Sequence, residues 1–208
     1  MTITESTLET LLNTRSTTGR FDPSRPLPEG TIEHLIHLAT RAPSAFNLQN
    51  WRFIAVESLA AKERLQAVAY GQQQVRDAAV TFIVCGQTGA HRQLFARLQP
   101  AVDAGLLPAT VQKTWSEMAI GAHENNPPLQ RDEAFRSASL AAMVLMLAAN
   151  DLGYASGALS GFDPQALAGA FELTDHDIPV MLVTVGYPAE GNWPQKPRRP
   201  VSAVLERR

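Results

Sequence analysis

The stretch SLAAMVLMLAAND, Ser139 to Asp151, constrains this chain more than any other part of it. Wound as a helix it is apolar on every side, and a helix without a polar face has to be buried all round. Its longest apolar run, Leu140 to Ala149, falls far short of the roughly 20 residues that span a bilayer. The stretch therefore predicts a core helix of a soluble protein, stopped by Gly153, a residue that readily takes the left-handed conformation at a helix end. With 208 residues, 45% of them hydrophobic and 18% charged, the chain can bury a sizeable core, and a single domain over 1–208 is expected.

Shorter signals surround that helix. STLE, Ser6 to Glu9, has capping-box spacing, and Leu8, Leu11 and Leu12 share one face, so a first helix should end near Arg15. Ile32, Leu35, Ile36 and Ala39 follow the i, i+3, i+4, i+7 pattern of a second helix that closes before Pro43. WRFIAV, AVTFIVC and PVMLVTVGYP read as three strands, and LAAKERLQAVA and the segment from about Pro108 to Ala122 as helices. HENNPP reads as a loop, and GFDP as a helix start with Asp163 as cap and Pro164 in the first position. The Pro-punctuated tail, about 188–208, is expected to run extended across a surface. Strands separated by helices predict an α+β fold, a three-layer arrangement with a small mixed central sheet and flanking helices.

Composition and motifs exclude several activities. A net charge of -2 gives no general attraction to nucleic acid or an anionic membrane. One cysteine, Cys85, cannot form an intrachain disulfide, and its strand context predicts a buried thiol. The early acids of MTITESTLETLLNTR do not resemble a secretory leader, so a cytoplasmic location is expected. His34 and His37 are helix neighbours, but no second ligand cluster joins them and no metal is expected. No nucleophile elbow, Rossmann glycine fingerprint or P-loop is present.

Three polar segments remain. Arg15, Ser16 and Thr17 join a guanidinium to two hydroxyls, a donor set suited to phosphate oxygens. Lys196 and Arg198 fall on one side of an extended segment and suit the same ligand. In PSAFNLQNW, Asn47, Gln49 and Asn50 bring both donors and acceptors, as the edge of a flat heterocycle needs, although such residues also cap turns.

RSTTGRF, then APSAFNLQNWRF, GFDP, VTVGYPAE and KPRRP, in this order from about Arg15 to Leu205, resemble the nitroreductase family. The resemblance implies an intertwined homodimer with flavin mononucleotide at the interface, and a two-step exchange of hydride from NADH or NADPH to nitroaromatics, quinones or similar electron-poor acceptors. It assigns Arg15, Ser16 and Thr17, with Gly19 behind them, to the first flavin-binding segment and Lys196 and Arg198 to the phosphate. Pro43, Ser44 and Asn47 match the loop beside the ring, and Ser160 and Gly161 the turn facing flavin N5. No side chain is expected to be catalytic in itself. Close alternatives are a reductase of an enone, an aldehyde or a halogenated aromatic, or a flavin-binding protein without turnover.

The chain departs from the family pattern in three places. Relatives commonly carry a basic residue two positions after the Ser, whereas here Thr17, Thr18 and Gly19 follow, with Arg20 one place later. Asn50 stands where Pro is usual before the Trp, and Gly71 and Gln74 stand where some relatives offer Asn and Lys to the ring's pyrimidine side. A cation there favours the reduced flavin, so Arg20 is expected to substitute for it. The excursion Leu94 to Asn126 is expected to line the substrate entrance, with Trp115 and Met118 either stacking on a ring or packing on a dimer mate.

Overall fold

The computed structural model describes residues 7–208; Ser6, the expected cap of the first helix, lies outside the described residues. Helix α1 spans Thr7–Thr14 and α2 Thr31–Ala39, followed by strand β1, Trp51–Val56, helix α3, Leu59–Val68, and a short α4, Gln73–Asp77. Strand β2, Val80–Gln87, leads into α5, Leu94–Asp103, and α6, Ala109–His123. The long α7, Pro127–Asp151, is followed by β3, Ala155–Leu159, α8, Pro164–Ala170, and β4, Asp177–Gly186.

The sheet order is β1-β2-β4-β3, and all its pairings are antiparallel. This corrects the expected mixed sheet: the parallel pairing is an isolated bridge between Thr17 and Ser156. Alternation along β2 builds the layers. Val80, Phe82 and Val84 pack with α2 and α7 on one face, while Ile83 and Cys85 pack with Leu65 of α3 and Leu167 of α8 on the other. Burial, then the nearby Asp177 carboxylate, pushes the Cys85 thiol up to about 12, so this cysteine is a core hydrophobe and not a nucleophile.

Several elements differ from expectation. Strand β3 was not expected, because ASGAL carries no β-branched or aromatic residue; its pairing with β4 makes it a strand. Helix α7 begins where a loop was expected, since the Asn126 side chain accepts from the Leu129 N–H and Pro127 and Pro128 fill positions that need no donor. Helix α5 carries Pro100 in its interior, and neither it nor α4 was expected. Nor is α7 buried all round in this chain: Ala138, Ala142, Leu145 and Ala149 are buried, but Leu140 is exposed. The tail has no regular structure until a short 3-10 turn at Val201–Ala203. Among the described residues no helix is long and apolar enough to cross a membrane.

One contact fixes α7 on the sheet. A Cβ on Gly86 would lie 2.6 Å from the Ala134 carbonyl carbon, so the helix backbone rests directly on β2. At the adjoining sheet end Asp177 joins three elements: it accepts from Arg52 at 2.6 Å, Gln87 at 3.1 Å and the Thr174 hydroxyl at 2.8 Å. Burial pushes the Asp177 carboxyl up, but the hydrogen bonds from Gln87, Thr174 and Arg52 outweigh it and hold it below its ordinary value.

Gly86→Ala is expected to cost about 2–3 kcal/mol by overpacking, whereas Gly169→Ala in α8, where a Cβ meets nothing within 4 Å, should stabilise by about 0.5–1 kcal/mol; urea unfolding of both variants checks this. Because the folded carboxyl titrates below its unfolded value, Asp177 stabilises above a pH of about 4 and loses its contribution as pH falls through the folded value. The stability gap between wild type and Asp177→Asn, about 1–3 kcal/mol at pH 7, should therefore shrink steadily in urea titrations below pH 4.

Candidate active site

The N-terminal segment reaches the sheet through backbone bonds. The Thr18 N–H donates to the Ser156 carbonyl at 2.9 Å, and a Cβ on Gly157 would collide with the Thr18 carbonyl. Glycine at 157 is therefore what lets residues 17–20 lie against β3.

The tail closes over that segment. Asn192 Oδ1 accepts from the N–H groups of Gly19 and Arg20 at 2.9 and 3.0 Å, and its amide donates to the carbonyls of Arg20 and Ala189, both at 2.8 Å. Gln195 donates to the carbonyls of Leu12 and Arg15 at 2.9 and 2.8 Å. Periodicity does not mark such a clip; the available signal was a turn-forming Gly-Asn pair, EGNWP.

Between these parts lies a cleft of about 300 Å³. Thr17, Gly19, Arg20, Gln74 and Lys196 line it together with the apolar side chains of Ala158, Leu159 and Trp193. An adjoining cleft takes in Arg15 and Ser16 and shares Thr18 and Asn192 with the first. Two buried polar atoms on the adjoining cleft's residues, Asn150 Oδ1 and Ser156 Oγ, have no hydrogen-bond partner among the described residues. Cations, hydroxyls and an amide beside an apolar wall suit a planar ring with polar edges and an anionic group.

The remaining expected residues are not among those that line this cleft. Ser160 and Gly161 follow directly on Leu159, and the Gly161 carbonyl accepts from Gln72 at 2.6 Å. Arg198 is exposed and donates to the Lys196 carbonyl at 2.9 Å, while the Lys196 ammonium sits 4.9 Å from the Trp193 ring centroid. Pro43, Ser44 and Asn47 belong to the turn before β1 and do not line the cleft; Asn47 lines a separate cavity of about 630 Å³ with Gln49, Trp51 and Arg97.

That turn is strained. Phe46, Asn47 and Gln49 all have positive φ, at 53°, 59° and 47°; asparagine tolerates this region, but for Phe46 and Gln49 it costs about 1–2 kcal/mol each. The Ser44 hydroxyl accepts from the Gln49 N–H at 2.9 Å, so Ser44 is spent inside the turn. Asn50 is buried, with its carbonyl accepting from the Gln87 N–H at 2.8 Å, while the Asn47 and Gln49 side chains remain exposed. Trp115 is partly exposed and makes an edge contact with Phe46 at 6.4 Å.

A small antiparallel sheet between helical layers, with a polar cleft built from both ends of the chain beside its edge strand, defines a three-layer α+β protein. The chain belongs to the nitroreductase family, whose profile matches residues 12–187. YodC of Bacillus subtilis, provisionally named an NAD(P)H nitroreductase, is 32% identical over 179 residues, 85% of this chain and 87% of that one. An NADH dehydrogenase of Thermus thermophilus is 32% identical over 86% of each chain. A protein of Exiguobacterium sibiricum, provisionally named a nitroreductase and solved in complex with FMN, superposes over 100% of both chains with a TM-score of 0.90 at 27% identity.

Asn192→Ala removes four hydrogen bonds at once. It should release the tail, speeding tryptic cleavage of the Arg198–Arg199 bond by at least about tenfold, since a loss of about 1.4 kcal/mol is a tenfold change in the open population; a time course of limited proteolysis checks this.

Proposed function

We propose that this protein is a cytoplasmic homodimeric oxidoreductase that holds flavin mononucleotide and reduces nitroaromatics, quinones or similar electron-poor acceptors with NADH or NADPH, by ping-pong exchange. The observation that carries the reading is the cleft itself, where residues 17–20, Gln74 and Lys196 converge against an apolar wall. A flavin bound there would supply the redox chemistry, hydride transfer between the nicotinamide and the acceptor.

The protein's part is positional and electrostatic. In this reading Arg15, Ser16 and Thr17 hold the phosphate with Lys196 and Arg198, which requires the exposed Arg198 to turn inward. Gly19 keeps the backbone close, since a Cβ-free position there lets the ligand approach. Gln74 offers its amide to the ring's pyrimidine edge, and Arg20, on the same cleft wall, provides the cation that favours the reduced ring. Ser160 and Gly161 present backbone to N5.

Pro43, Ser44 and Asn47 stand away from this cleft within one chain, so in this reading one protomer's turn flanks the ring held by its partner. Leu8, Leu12, Leu140 and Leu152, with Val201, Val204 and Leu205 of the tail, are exposed, apolar surface of the kind that marks an interface. The tail, about 188–208, then serves as an arm of a single domain reaching across the dimer.

The deciding measurement is the visible spectrum of the purified protein before and after anaerobic NADPH or NADH. A flavin spectrum that bleaches is the expected result; a protein that neither carries nor takes up flavin mononucleotide would overturn the proposal. Charge-assisted bonds contribute about 1.5–3 kcal/mol each, so Lys196→Ala with Arg198→Ala should weaken flavin retention at least tenfold, read by fluorescence on dilution. Arg20→Ala should lower the flavin's reduction potential, measured by dye equilibration.

A further inference from the structure

Nothing in the sequence motifs marks Arg97, yet its contacts reach the strained turn before β1. It lies on α5, half-buried, and its guanidinium has no carboxylate partner among the described residues. Its donors go to neutral oxygens instead. Nη1 donates to the Leu48 carbonyl and lies 3.5 Å from that of Gln49, while Nη2 donates to Gln93 Oε1 at 3.1 Å. Burial with no offsetting anion pushes the Arg97 pKa down.

A half-buried cation without a counterion is retained at a cost, and here it meets the part of the backbone that most needs holding. Leu48 and Gln49 directly follow the left-handed pair Phe46 and Asn47, and Gln49 is itself left-handed. The turn's other ties are the Asn47 and Leu48 N–H groups donating to Ser44 and Ala45 carbonyls at 3.0 and 2.8 Å, and the Ser44 hydroxyl accepting from the Gln49 N–H. These hydrogen bonds are all internal to the turn. Packing seats it, with Leu48 buried against Leu94 and Leu98 of α5 and Phe46 edge-on to Trp115, and Arg97 adds a hydrogen bond from α5 to the turn backbone; α5 is in turn held to α6, where Gln112 donates to the Phe95 carbonyl at 2.8 Å.

We infer that Arg97 is a positioning residue: its guanidinium fork locks the 46–49 turn in its left-handed conformation and so fixes where Asn47 and Gln49 present their side chains. Its consequence for the flavin rests on the proposed function, in which this turn flanks the ring. The planar fork holds the Leu48 carbonyl through Nη1 and Gln93 Oε1 through Nη2, tying the turn to α5 in a fixed geometry that a lysine ammonium does not reproduce.

The experiment compares wild type, Arg97→Met, which keeps the apolar stem, and Arg97→Lys, by amide hydrogen exchange without added ligand and by titration with flavin mononucleotide. In Arg97→Met the Asn47, Leu48 and Gln49 amides should exchange at least tenfold faster, those of α5 should be unchanged, and bound flavin should show a shifted visible spectrum and potential. Arg97→Lys should recover part of each change. Unaltered exchange at 47–49, or equal acceleration across α5, would overturn the inference whether or not flavin binds. If the wild type takes up no flavin while the exchange result holds, the proposed function fails and the role of Arg97 in the turn stands.

Discussion

The contact between the Gly86 backbone and Ala134 of α7 is the constraint on which the rest of this structure depends. A helix of 25 residues extends for roughly 38 Å at 1.5 Å per residue, and resting it directly on β2 sets the position of everything it leads to. Its C-terminal end delivers β3 to the sheet edge, beside β4. Gly157 on β3 then admits Thr18, and Gly186 at the end of β4 would bring a Cβ within 2.8 Å of the Ala79 N–H nitrogen. Glycines on three of the four strands thus allow close approaches that a side chain would prevent.

The cleft follows from those approaches. Because Thr18 bonds to Ser156, the N-terminal segment is held beside β3, and the returning tail is bound to it through backbone groups, Asn192 to Gly19 and Arg20 and Gln195 to Leu12 and Arg15. Lys196 reaches the cleft only through this clip. The polar lining is therefore held by main-chain bonds rather than by ion pairs, leaving the charges of Arg20 and Lys196 available to a ligand. The sheet's far end works differently: there the buried Asp177 pairs with Arg52 and carries four hydrogen bonds, so charge is spent on joining β1, β2 and β4.

The turn before β1 explains why this stretch is so rich in hydrogen-bonding side chains. Ser44 and Asn50 serve the backbone and the adjoining strand, and Asn50, the departure from the usual Pro, gains an N–H that Pro lacks and an amide 3.4 Å from the Gln87 carbonyl. Asn47 and Gln49 point outward from a left-handed backbone. A sequence reading groups all four as one amide-rich segment; the structure separates two that hold the turn from two that it displays.

What the sequence determined by itself was set by local chemistry. The 3.6-residue repeat of α2, the Asp163 cap and Pro164 start of α8 and the apolar run of β2 all act within a few residues, and each element lies where those signals put it. The family resemblance named Thr17, Gly19 and Lys196 as candidates and Gln74 as a departure from the pattern, and all four line one cleft. Tertiary structure alone decided β3, whose small residues become a strand only when β4 supplies hydrogen-bond partners, and the open face of α7, since apolarity requires burial without specifying what covers it. It also decided the Asn192 clip and the Arg97 fork, because a side chain bonding to a distant backbone carbonyl leaves no periodicity and no motif in the chain.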